Sequence, residues 1–146
     1  MNNGTILIVE DNPDDRVLAI RALKKAHLLN EIVTAQDGAQ ALELLYGPEG
    51  FAERGRLPAL VLLDLKLPKV SGLEVLRRIR EDPRTRHMPT VILTSSDEER
   101  DRLQGYERGA NSFVRKPMMF ADFIEAVGQL GLYWTVLNRL PPDGPS

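Results

Sequence analysis

The run Thr5-Ile6-Leu7-Ile8-Val9-Glu10-Asp11-Asn12-Pro13-Asp14-Asp15 decides how this chain folds. Its first five residues are continuously apolar or β-branched, the pattern of a strand buried on both faces. The run then turns acidic, and a helix start follows at once. Asn12 suits the cap, Pro13 the first helical position, and Asp14 and Asp15 the positive end of the helix dipole. Val17, Leu18, Ile20, Ala22 and Leu23 continue with helical spacing. A doubly buried strand running straight into a helix is the repeating unit of a parallel sheet covered by helices.

Working outward, the unit recurs four times. Ile32-Val33-Thr34-Ala35 precedes a helix over 39–46, and Leu60-Val61-Leu62-Leu63 precedes one over 73–80. Asp82-Pro83 closes the latter, because a residue before proline disfavours the helical region. Val91-Ile92-Leu93 leads to a charged helix over 98–107, and Ser112-Phe113-Val114 to a last helix from Met119. Five such units predict an α/β fold, the flavodoxin-like (βα)5 three-layer sandwich, with parallel strand order 2-1-3-4-5 and right-handed crossovers. Ligands in such sheets sit beyond the carboxyl ends of the strands, where strands 1 and 3 diverge.

Composition narrows the function classes. The chain has 146 residues, 42% of them hydrophobic, enough for one core and short for two domains. A formal net charge of -2 lacks the basic excess of nucleic-acid binders. With no cysteine, disulfides and thiolate chemistry are excluded. Met1-Asn2-Asn3-Gly4 has no signal-peptide build, and no apolar run reaches the roughly 20 residues that cross a bilayer. A cytoplasmic protein that engages neither membrane nor nucleic acid is expected.

The predicted ligand edge carries the chemistry. Glu10 and Asp11 follow the first strand and Asp64 follows the third, so three carboxylates converge although they are distant in sequence. Such crowding costs several kcal/mol unless a cation neutralises it. Mg²⁺ (or Mn²⁺), which favours carboxylates, retained waters and phosphate oxygens, fits best. Thr94 and Lys116 end the fourth and fifth strands on the same edge. A metal, an ammonium and a hydroxyl around a carboxylate nucleophile suit phosphoryl transfer to that carboxylate. His27 and His87 stand apart from any second ligand, and Arg77, Arg78 and Arg80 read as the wet face of a helix.

These residues resemble the receiver domains of two-component response regulators over about residues 5–128. The resemblance rests on Glu10-Asp11, Asp64 with Leu67-Pro68 and Gly72 behind it, Thr94-Ser95 and Lys116-Pro117. It implies that Asp64 is the phosphoacceptor, that Asp11 ligates the metal directly and Glu10 through water, and that the backbone carbonyl of Lys66 adds a ligand. It further implies that Thr94 bonds the phosphoryl oxygen, that Lys116 pairs with it, and that the Lys116-Pro117 peptide is cis. Phe113 stands at the switch aromatic, often tyrosine in the family, so a hydroxyl-mediated switch is not available. Lys66 and Ser96 occupy positions that tune the phosphoryl lifetime. The expected activity is that of a signalling protein fed by a histidine kinase, catalysing only its own phosphoryl transfer and dephosphorylation. The rival reading is a pseudo-receiver acting by protein binding alone, which would normally have lost one of the acids.

Other classes fit poorly. A flavin carrier of this topology needs a glycine- and hydroxyl-rich first loop, and this one is acidic. No P-loop motif occurs, and Lys66 stands where a haloacid dehalogenase-type phosphatase needs its second acid.

Residues 1–128 are expected to form the receiver domain. Residues 129–146 would extend the last helix and end in a disordered proline-rich tail, too short for an effector domain. Phe120, Phe123, Val127, Leu130, Trp134 and Leu137 form one helical stripe. A helix over 119–138 would be roughly 30 Å long and overhang strands of some 17 Å, so a homodimer through this helix is expected. The 47–58 connection is longer than usual and contains Phe51. With the aromatic tail, it resembles single-domain regulators paired with bacterial phytochrome histidine kinases.

Overall fold

The computed structural model of the chain describes residues 4–25, 30–65, 67–94 and 112–115. The elements run β1 (Ile6–Val9), α1 (Pro13–Lys25), β2 (Ile32–Ala35), α2 (Gly38–Tyr46), β3 (Leu60–Asp64), α3 (Gly72–Glu81), β4 (Thr90–Thr94) and β5 (Ser112–Arg115). They form one five-stranded parallel sheet in the order β2-β1-β3-β4-β5. The expected helix over 98–107 and the last helix, with Phe123, Val127, Leu130, Trp134 and Leu137, lie outside the described residues.

The central strands are apolar along their middle residues because both faces are covered. Strand alternation sends Leu7, Val9, Val61, Leu63 and Ile92 to one face, where they join Ala41, Leu45, Val75, Leu76 and Ile79 of α2 and α3. The alternate residues Ile6, Ile8, Leu60 and Leu62 are fully buried too, as are Ala19 and Leu23 of α1.

Helix ends follow local chemistry. Asn12 Oδ1 accepts the backbone N–H groups of Asp14 and Asp15 at 2.8 and 3.2 Å. Asp37 caps α2 by accepting from Gln40, and Ser71 caps α3 by accepting from Glu74. Helix α3 stops at Glu81, with Asp82 as its C-cap in extended conformation before Pro83.

The long 47–58 connection turns back onto the core. Phe51 N–H donates to Leu44 O at 2.8 Å and Ala52 N–H to Leu45 O at 2.9 Å. Phe51 is thereby buried in the α2–α3 cluster, with the Arg54 guanidinium 5.3 Å from its ring. Its length is explained by an aromatic side chain that must reach the core.

Arg80 departs from its expected place on a wet helix face. Its Nη1 donates to Met88 O at 2.8 Å and Arg86 O at 3.2 Å, tying the end of α3 to the entry of β4. Burial pulls its pKa down to about 10, for a charge held away from water is disfavoured. Arg77, by contrast, pairs at the surface with Glu74 and Glu81 on its own helix. Arg78 and His87 are exposed.

Ile79 is fully buried between α3 and the sheet. Ile79→Ala is expected to lower the unfolding free energy by about 2–5 kcal/mol, measured by urea denaturation. A loss under 1 kcal/mol would mean that the face is not close-packed.

Candidate metal and phosphoacceptor site

Two neighbouring strands bring the acids together. Strands β1 and β3 pair in parallel with Val9 beside Leu63. The next residue on each chain is therefore an acid at the same sheet edge: Glu10 on one, Asp64 on the other. Glu10 is 1% exposed and Asp64 5%, while Asp11 is exposed. One carboxylate oxygen from each of Glu10, Asp11 and Asp64 can be chosen so that all three lie within 4.8 Å of one another. Among the described residues this is the one such cluster of acids or other metal-ligating side chains.

Backbone bonds hold the acid loops. Glu10 N–H donates to Ala35 O at 3.0 Å, extending the β1–β2 ladder past the strand. Glu10 Oε2 accepts the Asn12 N–H at 3.3 Å, and Arg16 Nη1 donates to the Glu10 carbonyl at 2.7 Å. After β3, Gly72 N–H donates to Leu65 O at 3.0 Å. A Cβ at Gly72 would lie 2.1 Å from Asp64 O, so only glycine lets α3 begin against the backbone that carries Asp64.

The donor set suits a hard divalent cation. Oxygens sharing one Mg²⁺ at about 2.1 Å lie no more than about 4.2 Å apart, so a group within 4.8 Å closes on such an ion with small side-chain movement. All three donors are anionic oxygens, as Mg²⁺, Mn²⁺ and Ca²⁺ prefer. Glu10 and Asp64 are both buried, and two negative charges within 4.8 Å of one another repel by roughly 3 kcal/mol or more at an effective dielectric of about 20. A cation between them reverses that sign.

The remaining expected residues divide by position. Thr94 is the last residue of β4, one beyond the Asp64–Leu93 pair, and Phe113 lies in β5 beside Ile92. Both strands thus run toward the acid edge. Lys66, Lys116 and the Lys116-Pro117 peptide lie outside the described residues. Asp14 and Asp15 fall in the first turn of α1, as helix-start charges should. No described helix is long and apolar enough to cross a membrane.

The chain is similar to known proteins. The family profile of the response regulator receiver domain matches residues 6–128. The bacteriophytochrome response regulator AtBRR is 48% identical, with a TM-score of 0.74, over 95% of this chain and 100% of that one. A second bacteriophytochrome response regulator, RtBRR, is 46% identical, with a TM-score of 0.76, over 95% of this chain and 84% of its own. The response regulator Rcp1 of Synechocystis is 35% identical over 93% of this chain and 92% of its own length. Its structure in the Mn²⁺-bound form superposes with a TM-score of 0.79 over 94% of this chain.

A divalent cation at 100 times its dissociation constant should stabilise the fold by about 2.7 kcal/mol. Glu10→Gln should raise stability in chelator by about 1 kcal/mol, by relieving part of the repulsion, and should shrink the response to cation. Thermal melts with EDTA, Mg²⁺ and Mn²⁺ check both. A melt unmoved by any cation would contradict the site.

Proposed function

The chain belongs to the response regulator receiver domain family, and from that premise we propose that it is a phosphoryl-accepting switch whose acceptor is Asp64. The observation that carries the reading is the cluster of Glu10, Asp11 and Asp64 at the end of adjacent strands. The phosphoryl donor is a histidine kinase. An Asp64 carboxylate oxygen attacks phosphorus, the new O–P bond forms as the P–N bond breaks, and the imidazole leaves as a neutral base after taking a proton. Water later attacks the phosphorus of the acyl phosphate, releasing inorganic phosphate and returning the carboxylate; this transfer and this dephosphorylation are the chain's only catalysis. Its product is a signal rather than a converted substrate.

Mg²⁺, or Mn²⁺ in its place, is the proposed ion, and its charge offsets that on the transferring oxygens. Asp11 and Asp64 hold it directly, Glu10 through water, and the Lys66 carbonyl completes the set. Thr94 donates to a phosphoryl oxygen and Lys116, before a cis Pro117, pairs with another. When Thr94 moves toward the phosphorylated Asp64, Phe113 fills the space vacated, and the nearby surface is reshaped. The energy available is the difference in how the two states hold the phosphoryl group. Phe113 carries no hydroxyl, so this switch works by packing.

The partner kinase is proposed to be a bacterial phytochrome. Support comes from AtBRR and RtBRR, both named for bacteriophytochromes and nearly half identical to this chain. The switch is placed in the cytoplasm, where ATP-fed kinases act. In this proposal residues 1–128 form the receiver, and residues 129–146 extend its last helix and end in a disordered proline-rich tail. That helix pairs two copies through Phe123, Val127, Leu130, Trp134 and Leu137.

Incubation with acetyl phosphate and Mg²⁺ should add about 80 Da, the mass of one phosphoryl group in acyl linkage, read by intact mass spectrometry. Asp64→Asn should abolish the gain; a variant still labelled by base-labile phosphate would show the acceptor to be elsewhere.

For the dimer, light scattering should give twice the chain mass for the wild type and the single-chain mass for Trp134→Asp. Equal monomer masses for both would remove the dimer from the account.

A further inference from the structure

The junction between β2 and α2 contributes no acid to the cluster, yet it touches both loops that do. Its Ala35 carbonyl accepts the Glu10 N–H at 3.0 Å. Three residues on, a Cβ at Gly38 would lie 1.9 Å from Val70 O and 2.7 Å from Val70 Cβ. The first residue of α2 therefore abuts the backbone of the loop joining Asp64 to α3. Beside it, Lys69 Nζ lies 3.6 Å from Asp37 Oδ2, and Asp37 is fixed as the α2 cap through Gln40 N–H at 2.7 Å.

The loop is held in a conformation it would not choose alone. Lys69 has a φ of 69°, left-handed backbone that a lysine adopts at a cost. Such a residue persists where its surroundings over-determine it. Those surroundings are the Val70 N–H to Pro68 O bond at 2.8 Å, the Gly72 N–H to Leu65 O bond at 3.0 Å, and Gly38 itself. Val70 lies two residues before Gly72, whose N–H is bonded to the carbonyl of Leu65, the neighbour of Asp64.

We propose that Gly38 is a positioning residue for the acid cluster, setting the distance of Asp64 from Glu10 and Asp11 by seating the 64–72 loop against the β2–α2 junction. This rests on the reading of the cluster as a cation site. A methyl group at position 38 meets a carbonyl oxygen of the main chain, which cannot swing aside as a side chain would, so the loop must move as a body. Groups that orient ligands from behind typically govern metal affinity by 10–100-fold.

Gly38→Ala is expected to weaken Mn²⁺ binding by about tenfold, read by the electron paramagnetic resonance of free Mn²⁺ well below the unfolding temperature. In metal-free protein it should shift the amide resonances of Leu65 and Gly72. Adding Lys69→Gly, which loosens the loop, should restore part of the affinity. Ile79→Val, which lowers stability away from the loop, should leave affinity unchanged. Wild-type affinity in Gly38→Ala, or an equal loss in Ile79→Val, overturns the proposal and leaves the cation site standing. If Gly38→Ala does not fold, Lys69→Gly alone decides: a few-fold loss supports the proposal and no change overturns it. Wild-type protein that binds no Mn²⁺ overturns the site reading together with it.

Discussion

Everything at the site depends on one pairing, the parallel ladder that sets Val9 beside Leu63. Because that register places the strand ends level, Glu10 and Asp64 emerge together although the chain between them passes through two helices and another strand. Their mutual repulsion works against the fold, and the buried apolar strands on either side hold them in place despite it. A slip of one residue would reverse which side chains face the helices, and neither face could accept a charge. The hydrophobic core thus fixes the spacing of charges that would otherwise separate. Three carboxylates brought this close form an edge whose donor set suits a divalent cation.

Much of this was legible in the chain itself. The strands β1, β3 and β4 announce themselves as apolar runs, and the acids Glu10, Asp11 and Asp64 follow their ends, so topology alone predicts convergence. Boundaries shifted by a residue where capping chemistry overrode the apolar pattern, as at Gly38 and Gly72, both drawn into helix starts by Asp37 and Ser71. Arg80 was misplaced because helical periodicity describes only a helix's own faces. The carbonyls it reaches, at Arg86 and Met88, come within range after the chain has turned back. Phe51 hid in a segment with no period at all, and its burial follows from loop closure onto α2. Close backbone approaches leave no sequence signature beyond a glycine, which has many other uses, so the contact of Gly38 with Val70 is visible only in the fold. Lys66, Lys116 and the aromatic stripe of the last helix lie outside the described residues.

One face of the sheet packs α2, α3 and the folded-back 47–58 segment into a single cluster. The ion pairs on the surface of α3 add little by comparison, being solvent-screened. What matters for the site is that α3 begins almost in contact with Asp64. The chain belongs to a family, the receiver domains, that acts by signalling.

The most direct measurement is a crystal soaked in MnCl₂ and examined by anomalous scattering. A single peak bonded to carboxylate oxygens of Asp11 and Asp64, with Glu10 one water molecule away, is the predicted result. Anomalous density elsewhere, or none at saturating manganese, would contradict the claim that the sheet has gathered these acids around one ion.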